Sequence, residues 1–228
     1  MDKFSLYVPN FLPRREYFDP SKNNACPGCG IALALRHVYK AVEGMIEKAV
    51  WEKPSPNDFF GDTQGLSFLR IKRGTTDLLI CFDNEAGALL QDVLIKKLPG
   101  VALAEGFTYV ATACPSYPFD LYDKIKRAAE TNGRSYVHIL CPCPVGWRFE
   151  AEDTVKVGFK AVETNVFPLY ETGDGFCNIT VKTMKPKSPA VYFKAQERFS
   201  AMSDEEIAQA GAALERQYAR LVEQSQPK

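Results

Sequence analysis

The residues of this chain best able to do chemistry are thiols. Cys26 and Cys29 stand in the stretch Asn23-Asn24-Ala25-Cys26-Pro27-Gly28-Cys29-Gly30. Two cysteines at this spacing, with glycines that let the backbone turn sharply, can aim both sulfurs and several N–H groups at one metal or cluster. The same spacing serves a dithiol redox pair or half of a zinc site. A thioredoxin-type dithiol follows a strand, whereas Arg14 to Lys22 is polar and flanked by prolines. The context therefore favours a metal or cluster, which needs ligands from elsewhere in the chain.

Three other stretches carry groups of that kind. Cys141-Pro142-Cys143 brings two more thiols close together, and Cys141 is a candidate replacement ligand beside Cys143. Gly61-Asp62 and Asp83-Asn84-Glu85-Ala86 carry carboxylate and amide groups, and by themselves they read as ordinary turns. Cys81 and Cys114 read as core thiols and Cys177 as incidental. Neither histidine, His37 or His138, stands in a catalytic pattern. No serine-histidine-aspartate arrangement, phosphate loop or carboxylate pair is present.

The elements that must position these groups follow from the apolar pattern. Ile31, Leu35, Val38, Val42, Met45 and Ile46 recur at helical steps, predicting one helix from Ile31 to about Ala49, with its positive end facing the cysteines. Leu66 to Ile71 is short and helix-compatible. Asp77 to Phe82, Thr108 to Ala113 and Tyr136 to Cys141 are apolar runs of strand length, separated by helix-like stretches at Leu89 to Leu98 and Pro118 to Glu130. This alternation predicts an α/β fold with a doubly wound, mostly parallel sheet, whose strand ends deliver Asp83-Asn84, Cys114 and Cys141-Pro142-Cys143 to one edge. Beyond Trp147 come a short helix at Thr154 to Val162 and an alternating edge strand at Ile179 to Thr183. A final helix is capped by Ser203 and Glu206 and striped by Ile207, Ala210, Leu214, Tyr218 and Leu221. The chain thus divides into an N-terminal arm (1–25), an α/β domain (26–171) and a tail for packing against partners (172–228).

Lys plus Arg and Asp plus Glu both number 28, so no basic surface attracts nucleic acid or anionic lipid. Met1 to Leu12 has neither a basic region nor a sustained apolar run, and no apolar segment is long enough to span a bilayer. Seven cysteines without a secretory signal argue for thiolate ligands and buried thiols rather than disulfides. The expectation is a soluble, cytoplasmic protein with no nucleic-acid or membrane partner.

Taken together, Ala25-Cys26-Pro27-Gly28-Cys29-Gly30 with its helix, Leu79 to Ala86, Tyr109 to Ala113 with Tyr117-Pro118, Ile139 to Trp147, and Ala161 to Glu171 resemble the thiamine-diphosphate-binding β subunit of 2-oxoacid:ferredoxin oxidoreductases, most closely the pyruvate type. The resemblance covers roughly residues 22 to 171 and implies a thiamine-diphosphate-binding fold. It implies Cys26, Cys29 and Cys143 as ligands of a 4Fe-4S cluster, and Asp62, the Asn84 side chain and the Ala86 carbonyl, next to Gly61, as the Mg²⁺ site of thiamine diphosphate. The implied activity is oxidative decarboxylation of a 2-oxoacid, with electrons passed to ferredoxin and other subunits completing the enzyme. The chain departs from that pattern around the thiamine site. It has no cysteine from Ile31 to Ile80, where such subunits carry a third cluster cysteine. Thr63 follows Asp62 where glycine is usual, and Gly87-Ala88-Leu89 stands where an asparagine-threonine-glycine meets the diphosphate. The alternative is a shortened homologue without thiamine, an iron–sulfur electron-transfer or structural subunit.

Overall fold

The computed structural model describes residues 12–19, 24–52, 65–85 and 98–226. Among them, seven strands form one sheet in the order β1-β2-β3-β5-β4-β6-β7. These are β1 (Ala49–Glu52), β2 (Leu66–Arg73), β3 (Thr76–Asp83), β4 (Tyr109–Ala113), β5 (Gly133–Leu140), β6 (Tyr170–Gly173) and β7 (Phe176–Ile179). The centre is parallel: β5 lies between β3 and β4, with Asp83 opposite Leu140 and Ala113 opposite Ile139. Antiparallel hairpins extend both edges, β1-β2 onto β3 and β6-β7 onto β4.

Helices cover both faces, as the alternating pattern predicts. Helices α1 (Gly30–Ala41) and α3 (Pro118–Glu130) bury Ala34, Leu35, Val38, Leu121 and Ile125 against Ile80, Phe82, Val137 and Ile139. Helix α2 (Leu98–Ala104) packs Leu98 and Ala102 on the opposite face, against Leu79, Val110 and Tyr136. The crossovers β3-α2-β4 and β4-α3-β5 therefore run on opposite faces, and the carboxyl ends of the three parallel strands share one edge.

Several sequence expectations change. Leu66 to Ile71 is strand rather than helix. It pairs with β3 through a hairpin at Gly74, whose φ of 57° a glycine adopts without strain. Phe68 enters one core and Leu69 and Ile71 the other. A short run buried on both faces has no period to separate it from a helix. The first helix ends at Ala41, followed by a 3-10 turn (Glu43–Lys48) and the edge strand β1. The C-terminal hairpin strand ends at Ile179, because the turn at Gly173-Asp174-Gly175 sets Tyr170 opposite Ile179. The helix expected at Leu89 to Leu98 lies outside the described residues except for Leu98, which opens α2.

The remaining elements lie beside the carboxyl edge. Helices α4 (Pro144–Trp147), α5 (Thr154–Glu163), α6 (Ala190–Phe193) and α7 (Asp204–Gln224) bury Trp147, Val157, Tyr192, Phe193, Ile207 and Leu214 in one cluster with Leu140. The sheet crosses the boundary drawn at residue 171, and the tail beyond it packs into this chain's own core. The described part of the arm behaves likewise. Lys40 Nζ donates to the Pro13 carbonyl at 2.8 Å, Arg36 Nε to Glu16 at 2.6 Å and Tyr17 to Glu43 at 2.8 Å, so residues 13–17 lie on the chain's own α1 and the turn after it.

Candidate functional site

The two cysteine loops meet at the carboxyl edge. Cys26-Pro27-Gly28-Cys29 is a tight turn closed by the Cys29 N–H donating to the Cys26 carbonyl at 3.1 Å. Proline presets its second position, and Gly28, at φ 69°, supplies the left-handed third. Helix α1 then starts at Gly30, whose N–H donates to the Pro142 carbonyl at 3.1 Å rather than to solvent. A β-carbon at Gly30 would collide with that carbonyl, and one at Gly28 with the carbonyl of Ala151. The Thr154 hydroxyl donates to the Gly28 carbonyl at 2.7 Å and fixes the turn from the other side. Cys26 is exposed and Cys29 half-buried, and both line a cleft of about 480 Å³ with Glu16, Arg36, Glu152 and Val155.

On the strand side the chain turns at Pro142 and directs its two thiols apart. Cys141 is fully buried in the cluster under α1 and α3, where its thiol donates to the Ile139 carbonyl at 3.4 Å. Burial, with Cys114, Asp83, Cys81 and Cys29 nearby, pushes its pKa well above the ordinary value and keeps it a thiol. Cys143 is half-buried, packs against the Trp147 cluster and caps α4, its sulfur accepting from the Gly146 N–H at 3.3 Å. The short C-P-C spacing therefore does not place both sulfurs at one site. Among the described residues, no three Cys, His, Asp or Glu side chains gather into a group able to hold a metal ion. The Gly30–Pro142 hydrogen bond nevertheless joins the backbones of the loops that carry Cys26, Cys29 and Cys143. Cys81 and Cys114 are buried, as expected.

Of the magnesium set, Gly61, Asp62 and Ala86 lie outside the described residues. Asn84 is described, and its backbone is held on both sides: its N–H donates to the Gly65 carbonyl at 3.0 Å, and its carbonyl accepts from Trp147 Nε1 at 2.6 Å. The first bond ties the Asn84 turn to a residue three positions after Asp62.

The sequence reading missed a buried polar chain beside that turn. His138 Nε2 lies 3.2 Å from Asp83 Oδ2, and His138 Nδ1 lies 2.9 Å from the Tyr136 hydroxyl. Parallel pairing of β3 with β5 creates the contact, with Tyr136 and His138 on one face of β5. Asp83 and His138 line a cavity of about 300 Å³ together with Glu85, Thr112, Tyr170 and Tyr218. Only the two-residue spacing of Tyr136 and His138 in a strand signals this in the sequence. The partner of His138, Asp83, is 55 residues away.

No family model matches the chain. Curated relatives do match part of it. Pyruvate synthase subunit PorB of Methanocaldococcus jannaschii is 42% identical over 112 residues, which is 49% of this chain and 38% of that protein. Pyruvate synthase subunit PorB of Methanothermobacter thermautotrophicus is 35% identical over 163 residues, 60% of this chain and 57% of that protein. Ketoisovalerate oxidoreductase subunit VorB of Pyrococcus abyssi is 36% identical over 114 residues, 49% of this chain and 37% of that protein. The chain thus spans about half the length of the relatives it matches or less, and over that shared stretch it is similar to pyruvate synthase subunit PorB and ketoisovalerate oxidoreductase subunit VorB.

Proposed function

We propose that this chain is a β-type subunit of a 2-oxoacid oxidoreductase complex, working with further subunits and passing electrons to ferredoxin or a similar acceptor. The observation that carries this is the likeness to PorB and VorB, proteins named for pyruvate and ketoisovalerate. The geometry supports it through the Gly30–Pro142 bond, which joins the two cysteine loops at the edge where doubly wound sheets bind ligands.

In this reading Cys26, Cys29 and Cys143 hold a 4Fe-4S cluster, and Asp62, Asn84 and Ala86 hold the Mg²⁺ of thiamine diphosphate. If bound there, thiamine diphosphate would supply an electron sink for cleaving a 2-oxoacid and the cluster would supply one-electron redox chemistry. The chain's own residues do the positioning. Gly30 keeps the first cysteine turn against Pro142, the Gly146 N–H steadies Cys143, and Trp147 and Gly65 fix the backbone of Asn84.

The test is the content of the complex purified without oxygen. Iron and acid-labile sulfide in equal amounts, with bound thiamine diphosphate, are expected, and Cys26→Ala is expected to lose iron and sulfide. A complex that forms with neither iron nor thiamine diphosphate overturns the reading.

A further inference from the structure

The turn at the end of β3 is held by a residue 113 positions away. Arg198 lies in the 3-10 turn Glu197–Phe199, within the stretch the sequence assigns to partner packing. Its Nη2 donates to Glu85 Oε2 at 2.7 Å and its Nη1 to the Glu85 backbone carbonyl at 3.2 Å. The two side chains are 8% and 7% exposed. Arg198 Nε donates to Gln196 Oε1 at 2.8 Å, and its guanidinium lies 4.1 Å from the ring centre of Trp147 and 4.4 Å from that of Phe199. Trp147 in turn donates its indole N–H to the Asn84 carbonyl.

This arrangement acts on an unusual backbone. Glu85 has a φ of 46°, in the left-handed region that a non-glycine residue occupies only when its surroundings enforce it. Its N–H donates to Asp83 Oδ1 at 2.8 Å, which closes the turn but does not by itself select that conformation. A planar guanidinium that bonds carbonyl and carboxylate together does select it, because the two acceptors of one residue are presented to the fork at once. Lysine carries the charge without the fork.

We infer that Arg198 is a positioning residue for the Asp83-Asn84-Glu85 turn: it holds Glu85 in the left-handed conformation and so aims Asn84, while Trp147 ties the same turn to the loop that carries Cys143. The inference rests on the proposed function only for what Asn84 binds.

Hydrogen exchange on the full chain tests it. In Arg198→Met and in the charge-neutral pair Arg198→Met with Glu85→Gln, the Glu85 amide should exchange at least tenfold faster, with Val137 and Ile139 in β5 unchanged. Arg198→Lys should show the same local loss at an unaltered melting temperature. Unchanged protection at Glu85, or a loss spread equally over Val137 and Ile139, overturns the inference. Binding of Mg²⁺ with thiamine diphosphate is measured alongside. If wild type binds, Arg198→Lys should bind at least fivefold more weakly, and equal binding counts against the inference. If wild type does not bind, the ligand role of Asn84 fails, and the exchange result alone decides for or against Arg198.

Discussion

At the residue scale, the cysteine turn depends on two glycines more than on its sulfurs. Gly28 is needed for a positive φ and Gly30 for close approach, since a methyl group at 30 would strike the Pro142 carbonyl. Gly30→Ala touches no ligand candidate, yet denaturant unfolding should show a loss of about 1–3 kcal/mol. A neutral result would mean that the two loops do not abut. His37 makes a second prediction. Burial, then the charges of Arg36 and Lys40, push its pKa down to about 4 from 6.5, and its Nδ1 is buried without a hydrogen-bond partner among the described residues. The unfolded chain takes up this proton near pH 6.5 and the folded chain only near 4, so folding is penalised increasingly as pH falls through that window. Wild type should therefore lose more stability between pH 7 and pH 5 than His37→Phe does. Equal losses would show that His37 titrates normally.

At the element scale, the legible parts were those whose pattern is local. Helix α3 spans Pro118–Glu130 as its proline start and apolar spacing predict, and α7 begins with the capping box expected of Ser203 and Glu206. Strands β3, β4 and β5 fall on the three apolar runs. Strand β2 was not legible, because Phe68, Leu69 and Ile71 are buried on two faces and their assignment depends on the partner strand. Nor was the role of α7. Its stripe was evident, but the surface it covers is this chain's own, where Ile207, Ala210 and Leu214 join Trp147 and Tyr192. Leu214→Ala should consequently cost about 2–5 kcal/mol in the chain by itself, measured by chemical denaturation. A helix that only docked on a partner would show almost no change.

At the scale of the whole molecule, the parallel centre and its crossovers decide which distant residues become neighbours. They bring Asp83, Cys114 and Cys141 to one edge, and pairing of β3 with β5 places His138 against Asp83. No helix among the described residues is long and apolar enough to cross a membrane. The sequence by itself determined the α/β class, the edge that receives Asp83-Asn84, Cys114 and Cys141-Pro142-Cys143, and the likeness to 2-oxoacid oxidoreductase subunits. Each of these follows from patterns within a few dozen residues. Only the tertiary structure decided that Cys141 is a buried core thiol and that Arg198 holds the turn beside Asn84. Those outcomes depend on burial and on contacts between residues far apart in the chain, and such contacts leave no period or spacing in the sequence for a reader to find.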